Sequence, residues 1–268
     1  MPHPFFDLRR PVVIGHRGSA GTQPENTLRS FEAALAQGAQ ILESDIHVSR
    51  DGVPVLLHDP CVDRVTPGRG EVSGLDWSAL QKLDAAHRFE AADGTAPLRG
   101  RGIRIPSLEE AFEHFPDARF NLEIKCHDEA AIRATLDLVE RFERSDRTLL
   151  AAGEDGIMKD LRAALARHPA TPAMGASRGE IVAAIASALE GGPMPEGVMA
   201  LQIPPSFADR PLATRELVEH AHANAVEVHV WTVDDLDEIA ALLEKGVDGI
   251  VTDTPGRMAA WLARDERR

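Results

Sequence analysis

Short β-rich apolar runs alternate with longer amphipathic, Ala/Leu-rich segments from one end of the chain to the other, and no other feature limits the fold so tightly. The runs cover residues 12–15, 41–47, 120–125, 148–152, 171–175, 198–203, 226–231 and 249–252. Helical spacing of apolar residues marks 27–37, 107–114, 129–144 and 234–244 between them. Such alternation requires parallel strands joined by helical crossovers. Eight units of it predict an α/β fold, a (β/α)8 TIM barrel, in preference to an open sheet. Local signals agree. Ser107 and Glu110 have the spacing of a capping box, and Gly38 and Gly246 stand where helix ends favour a left-handed residue.

A ninth apolar run, 53–57, follows the second strand after Ser49-Arg50-Asp51-Gly52. Asp-Gly is a tight-turn signal, and the connection is far too short for a parallel crossover. The run is therefore expected to fold back antiparallel, with Pro54 at an edge position, and to return His58 toward the strand ends. From Asp59 to Pro106 the alternation stops and Gly, Pro, Asp and Arg dominate, with one helical piece near 77–86. A structureless loop of that length is rare inside a compact domain. The chain is thus expected to be one domain over 1–268, with a small inserted subdomain or lid at about 59–106, after the second strand.

Composition narrows the function. Lys and Arg total 29 against 43 Asp and Glu, a net charge of −14, which disfavours a grip on nucleic acid or acidic membrane. No stretch is long and apolar enough for a stable membrane anchor, and residues 1–10 lack the apolar core of a secretory signal, so a cytoplasmic location is expected. Cys61 and Cys126 match no zinc spacing and are expected to be unpaired thiols.

Chemistry-bearing residues cluster at predicted strand ends: His16-Arg17-Gly18, Glu43-Ser44-Asp45 leading on to His58, and Glu123-Ile124-Lys125. Alternate strand residues share a face, so Glu43 lies with Asp45 and Glu123 with Lys125. Glu43, Asp45 and Glu123 form an oxygen-only donor set that suits one divalent cation, Mg²⁺ or Ca²⁺, rather than zinc. The bland reading of each carboxylate is a salt bridge to a nearby Arg or Lys. His16 and His58 are the acid/base candidates because imidazole titrates near neutrality. Arg17 and Lys125 are the anion candidates, one a fork and the other a point charge. Trp231 is either an apolar pocket wall or a core residue, and His47 and His229 are weaker candidates for the pocket lining. Together these groups read as metal-assisted cleavage of a phosphate ester; oligomeric state leaves no mark.

The sequence resembles the glycerophosphodiester phosphodiesterase family. The matching pieces are His16-Arg17-Gly18, Pro24-Glu25-Asn26-Thr27, Phe31-Glu32-Ala33-Ala34, Glu43-Ser44-Asp45, Asp51-Gly52, His58-Asp59-Pro60, Asp63-Arg64, the run from Ile105 to Glu110, Glu123-Ile124-Lys125, Trp231-Thr232-Val233 and the run from Gly246 to Asp253. The resemblance implies a metal-dependent (β/α)8 barrel that takes a small-molecule phosphodiester as partner and hydrolyses glycerophosphodiesters to glycerol 3-phosphate and an alcohol. It implies metal ligation by Glu43, Asp45 and Glu123, acid/base roles for His16 and His58, and phosphate contacts from Arg17 and Lys125. Residues 59–106 look like the family's inserted subdomain, which barrels of the sphingomyelinase D type typically lack. Two alternatives stand beside this reading. One is a lysophospholipase D, with Phe89, Leu98 and Ile103 lining an acyl site; the other is a non-catalytic binding barrel.

Overall fold

The computed structural model describes residues 3–265, and in it the alternation becomes a barrel. The first half runs β1 (Val12–Gly15), α1 (Leu28–Ala36), β2 (Ile41–Val48), β3 (Pro54–Leu56), α2 (Trp77–Leu80), α3 (Leu108–His114), β4 (Arg119–Ile124) and α4 (Glu129–Arg141). Then come β5 (Thr148–Ala151), α5 (Asp155–Leu165), β6 (Ala173–Met174), α6 (Arg178–Glu190), β7 (Ala200–Ile203), β8 (Ser206–Phe207) and β9 (Arg210–Pro211). The chain closes with α7 (Arg215–Ala223), β10 (Glu227–Val230), α8 (Leu236–Glu244), β11 (Gly249–Thr252) and α9 (Pro255–Asp265).

Eight parallel strands lie in the order β6-β5-β4-β2-β1-β11-β10-β7. A backbone bond from Met199 N to Met174 O, 2.9 Å, crosses the remaining seam between β6 and β7. The result is the expected (β/α)8 architecture, nearly closed. β6 is shorter than its apolar run because Pro172 has no N–H for a ladder. Inward residues of the strands, among them Val12, Ile14, Ile41, Leu149, Ala173 and Val251, fill the interior. Phe5, fully buried on a short 3₁₀ turn, packs among them at the strand starts and plugs that end. Two larger clusters seal the strands against the surrounding helices.

Local signals behave as local physics requires. Thr27 Oγ1 caps α1 by accepting from Ser30 N, and the Ser107–Glu110 capping box starts α3. Gly38 and Gly246 take φ of +98° and +94°. β3 folds back on β2 with Ile46 opposite Leu56 and Val48 opposite Pro54, so the proline sits on an edge. Residues 57–105 build a small core of their own against this hairpin, from Val62, Val72, Leu80, Ala85 and Ile105. The helical piece expected near 77–86 is one turn, α2. Further on, Asp84 accepts from Ala86 N and Gly100 N, side-chain bonds that compete with a continued helix. The hairpin β8–β9 carries no clear signal in the sequence; its turn holds Ala208 and Asp209 at φ of +47° and +60°. Both cysteines are free, and no helix among the described residues is long and apolar enough to cross a membrane.

Helix α4 ends at Arg141, short of the expected Arg144, because Glu143 turns left-handed at φ +51° and Arg144 swings inward. The Arg144 side chain is fully buried. Its guanidinium stacks 4.5 Å over the Phe112 ring and donates to the carbonyls of Phe115, Pro116 and Ala118. Burial pushes its pKa down to about 10. Arg144→Ala would orphan these carbonyls and open a cavity, so urea unfolding should show a loss of about 3 kcal/mol or more. A change under 1 kcal/mol would mean the loop finds other donors.

Candidate active site

The chemistry gathers at the C-terminal ends of β1, β2, β4 and β11, the face where barrel enzymes work. His16 continues β1, its N–H donating to Thr252 O at 2.9 Å. The chain then reverses through Arg17 and Gly18, at φ +49° and +88°. A Cβ on Gly18 would come within 2.4 Å of Ser30 Oγ, so glycine is needed for the close approach of this turn to α1.

The reversal aims Arg17 across the mouth. Its backbone N–H donates to Glu43 Oε2 at 2.9 Å and its Nη1 to Glu25 Oε1 at 2.9 Å. Nε lies 3.6 Å from Asp45 Oδ2, and it is buried without a hydrogen-bond acceptor. Strand register places Asp45 opposite Glu123. Lys125 Nζ sits between them, 3.2 Å from Asp45 Oδ1 and 2.7 Å from Glu123 Oε2. Asn26 steadies the buried Asp45 by donating to Oδ2 at 3.2 Å, and itself accepts from Ser44 Oγ at 2.7 Å.

Each acid/base candidate is anchored through Nδ1. His16 Nδ1 pairs with Asp253 Oδ1 at 2.7 Å, and His58 Nδ1 with Asp59 Oδ1 at 2.6 Å. A carboxylate on Nδ1 orients the ring and leaves Nε2 for proton transfer. Burial opposes a charge on His16, but the Asp253 bond and the Glu43 charge outweigh it and its pKa is raised. Burial likewise opposes the Lys125 charge, and Asp45 and Glu123 overcome it.

Glu43 behaves in the opposite sense. Burial, reinforced by the nearby Asp45 charge, pushes its carboxyl up to about 7. Three carboxylates, Glu43, Asp45 and Glu123, share this mouth with the two cations Arg17 and Lys125. Oxygen-only donors fit a hard divalent cation. As the side chains stand, Lys125 takes up the space between Asp45 and Glu123. Among the described residues, no three carboxylate, imidazole or thiolate groups are gathered closely enough to hold an ion.

His47 and His229 take supporting places. His47 is buried with its Nε2 3.1 Å from His58 O; burial lowers its pKa, so it serves as a neutral donor that fixes the His58 loop. His229, one of the weaker candidates for the pocket lining, is turned to the opposite end of the barrel. It is fully buried, bonded to Glu227 at 3.1 Å and packed near Phe6. Inward residues stack in layers, so two residues along β10 separate the barrel interior from the mouth. Trp231 occupies that outer layer and is 44% exposed, which rules out the core alternative. Ile103, which the lysophospholipase D alternative puts in an acyl wall, packs instead against the inserted segment's own core.

The structure adds Glu25, Asn26, Asp59, Arg64 and Asp253 to the site. All five lie in the motif stretches quoted above. Asp59 pairs with the adjacent His58 and is legible from that neighbour, whereas Asn26, Arg64 and Asp253 meet their partners across different loops and strands, for which local sequence carries no signal.

Comparison with known proteins shows the family. The model of the glycerophosphoryl diester phosphodiesterase family matches residues 16–257. The chain is 31% identical over 248 residues to the probable glycerophosphodiester phosphodiesterase 2 of Mycobacterium tuberculosis, covering 90% of this chain and 87% of that one. It is 26% identical over 272 residues to lysophospholipase D GDPD1 of Homo sapiens, covering 93% and 85%. A solved Oleispira antarctica phosphodiesterase, in complex with the product sn-glycerol-3-phosphate, superposes with a TM-score of 0.76 at 28% identity, covering 94% of this chain and 97% of that one. The family match spans the whole set of clustered residues, and this chain belongs to the glycerophosphoryl diester phosphodiesterase family, as an enzyme that hydrolyses phosphodiesters.

Proposed function

We propose that this enzyme cleaves glycerophosphodiesters to glycerol 3-phosphate and an alcohol, with Glu43, Asp45 and Glu123 holding one divalent cation, Mg²⁺ or Ca²⁺. The observation that carries the reading is Arg17 Nε, a buried donor without an acceptor beside Asp45. A phosphoryl oxygen would satisfy it, and Lys125 adds a second positive charge nearby. The bound cation would supply further neutralisation of the charge that builds on the phosphoryl oxygens.

In this scheme His16 and His58 divide the proton work. One takes the proton of the nucleophile at Nε2, and the other gives a proton to the departing alkoxide. Asp253 and Asp59 hold the rings and stabilise each imidazolium as it forms. The nucleophile is either water or the glycerol 2-hydroxyl acting through a cyclic phosphate; turnover in ¹⁸O water with a search for the cyclic species separates the routes. The product sn-glycerol-3-phosphate in the Oleispira antarctica relative supports the substrate class.

A second reading is lysophospholipase D activity. Trp231 favours it, an exposed aromatic at the mouth, together with the similarity to a protein of that name. Release of glycerol 3-phosphate from glycerophosphocholine and glycerophosphoethanolamine, compared with turnover of lysophosphatidylcholine, tests both. The first reading expects kcat/KM for the diesters to exceed that for the lysolipid at least about tenfold, a gap of 1.4 kcal/mol in barrier. The reverse order would transfer the assignment to the lysolipid.

A further inference from the structure

Proton transfer and anion binding are usually assigned to separate residues, yet here one chain of charged bonds joins them. Arg17 Nη1 donates to Glu25 Oε1 at 2.9 Å. The same Glu25 carboxylate receives Arg64 from the inserted segment, Nη2 to Oε1 at 2.6 Å and Nη1 to Oε2 at 2.7 Å. Arg64 Nε donates onward to Asp59 Oδ2 at 2.6 Å, and Asp59 Oδ1 holds His58 Nδ1 at 2.6 Å. Every link is charge-assisted, and the Glu25–Arg64 link is a two-pronged fork.

The chain is also pinned at the place where it enters the inserted segment. Arg64 closes a 3₁₀ turn whose Val62 is fully buried in that segment's core. Asp63 beside it accepts from Gly70 N at 2.9 Å, and its carbonyl accepts from Arg88 Nε at 3.0 Å. Burial works against ionisation of both Glu25 and Asp59, but the Arg64 bonds outweigh it and both carboxyls lie below their ordinary range. Lysine could not replace Arg64, because an ammonium lacks the planar fork that serves two carboxylates at once.

We infer that Glu25 and Arg64 are positioning residues whose ion pair couples the Arg17 anion clamp to the orientation of His58. The inserted segment thereby holds the acid/base group and the anion clamp in one geometry. The inference rests on the proposed roles of Arg17 and His58. Loosening the pair should disturb phosphate binding and proton transfer together, which a purely local support for either residue would not do.

The test uses the full chain with Glu25→Gln, Arg64→Lys, their double variant, and Arg64→Lys in a His58→Ala background. Measured for each are kcat and KM on glycerophosphocholine, the affinity for inorganic phosphate by calorimetry, and Tm as a check on folding. Each single variant should lower kcat about 10–100-fold, the loss expected when reacting groups shift by about an ångström. Each should also weaken phosphate binding. The double variant should fall no further than the worse single one, since both cut the same link. In the His58→Ala background, Arg64→Lys should lower kcat by a smaller factor than it does in the wild-type protein, because the share that acts through His58 is already lost, and it should still weaken phosphate binding.

Additive losses in the double variant, or a change in kcat with phosphate affinity intact, would overturn the coupling. An altered Tm with unchanged kinetics and binding would reduce Arg64 to a structural role. If the wild-type protein turns over no glycerophosphodiester, the functional reading fails by itself. The phosphate arm then still decides: unchanged affinity in Arg64→Lys and Glu25→Gln rejects the link to Arg17.

Discussion

Replacing His58 by alanine should lower kcat by about 10²–10⁴-fold, the range that one positioned acid or base supplies, while the protein stays folded. The side chain is half-buried at the mouth and belongs to none of the hydrophobic clusters, so its loss opens little cavity. The loop that carries it is held by a different group, its own carbonyl bonded to His47. A kcat that falls with Tm preserved assigns His58 to the chemistry, and unchanged turnover removes it. Asp59→Asn should give a smaller loss, because it removes the charge that anchors Nδ1 and keeps the imidazole.

Stripping divalent cations with EDTA should reduce turnover about 10²–10³-fold, equivalent to the several kcal/mol that charge neutralisation at a phosphoryl group contributes. Added Mg²⁺ or Ca²⁺ should restore it. Thermal unfolding gives a second readout that needs no substrate. The Glu43 carboxyl rises from an ordinary 4.5 to about 7 in the folded protein. A raised carboxyl favours the folded state while it keeps its proton. That contribution is present below pH 4.5 and is lost as pH climbs toward 7. The metal-free protein should therefore lose Tm across this window, and a bound cation should recover it above pH 7. Glu43→Gln, uncharged at every pH, should flatten the decline and shift the metal titration to higher concentration. A wild-type Tm indifferent to Mg²⁺ and Ca²⁺ at pH 8, with full activity after EDTA, would refute the proposed ligand set.

Some of this was readable from neighbouring residues alone. Asp51-Gly52 favours a tight reversal through contacts within a few residues, so the β2–β3 hairpin and the return of His58 toward the strand ends followed from local sequence. The same holds for the Ser107–Glu110 cap and for Gly38 and Gly246, where the interacting groups lie within one turn. Site residues at strand ends were legible for a related reason. A carboxylate or imidazole that ends an apolar run stands at a strand end, and parallel strands bring their C-terminal ends to one face.

Other features carried no local signal. His229 and Trp231 share a strand face, and only barrel packing separates them, one buried at the far end and the other exposed at the mouth. Arg144 looks like a charged helix terminus in the sequence, and only the carbonyls and phenylalanines brought to it by the fold make it a buried cap. Glu25 and Arg64 are 39 residues apart and meet because the inserted segment docks beside the first loop. The strand–helix period, the turns and the set of chemical groups are written locally in the chain, because they depend on contacts within a few residues. Which carboxylate holds which cation was decided only by the tertiary structure, since charged groups pair by distance in space and the chain's order does not encode it.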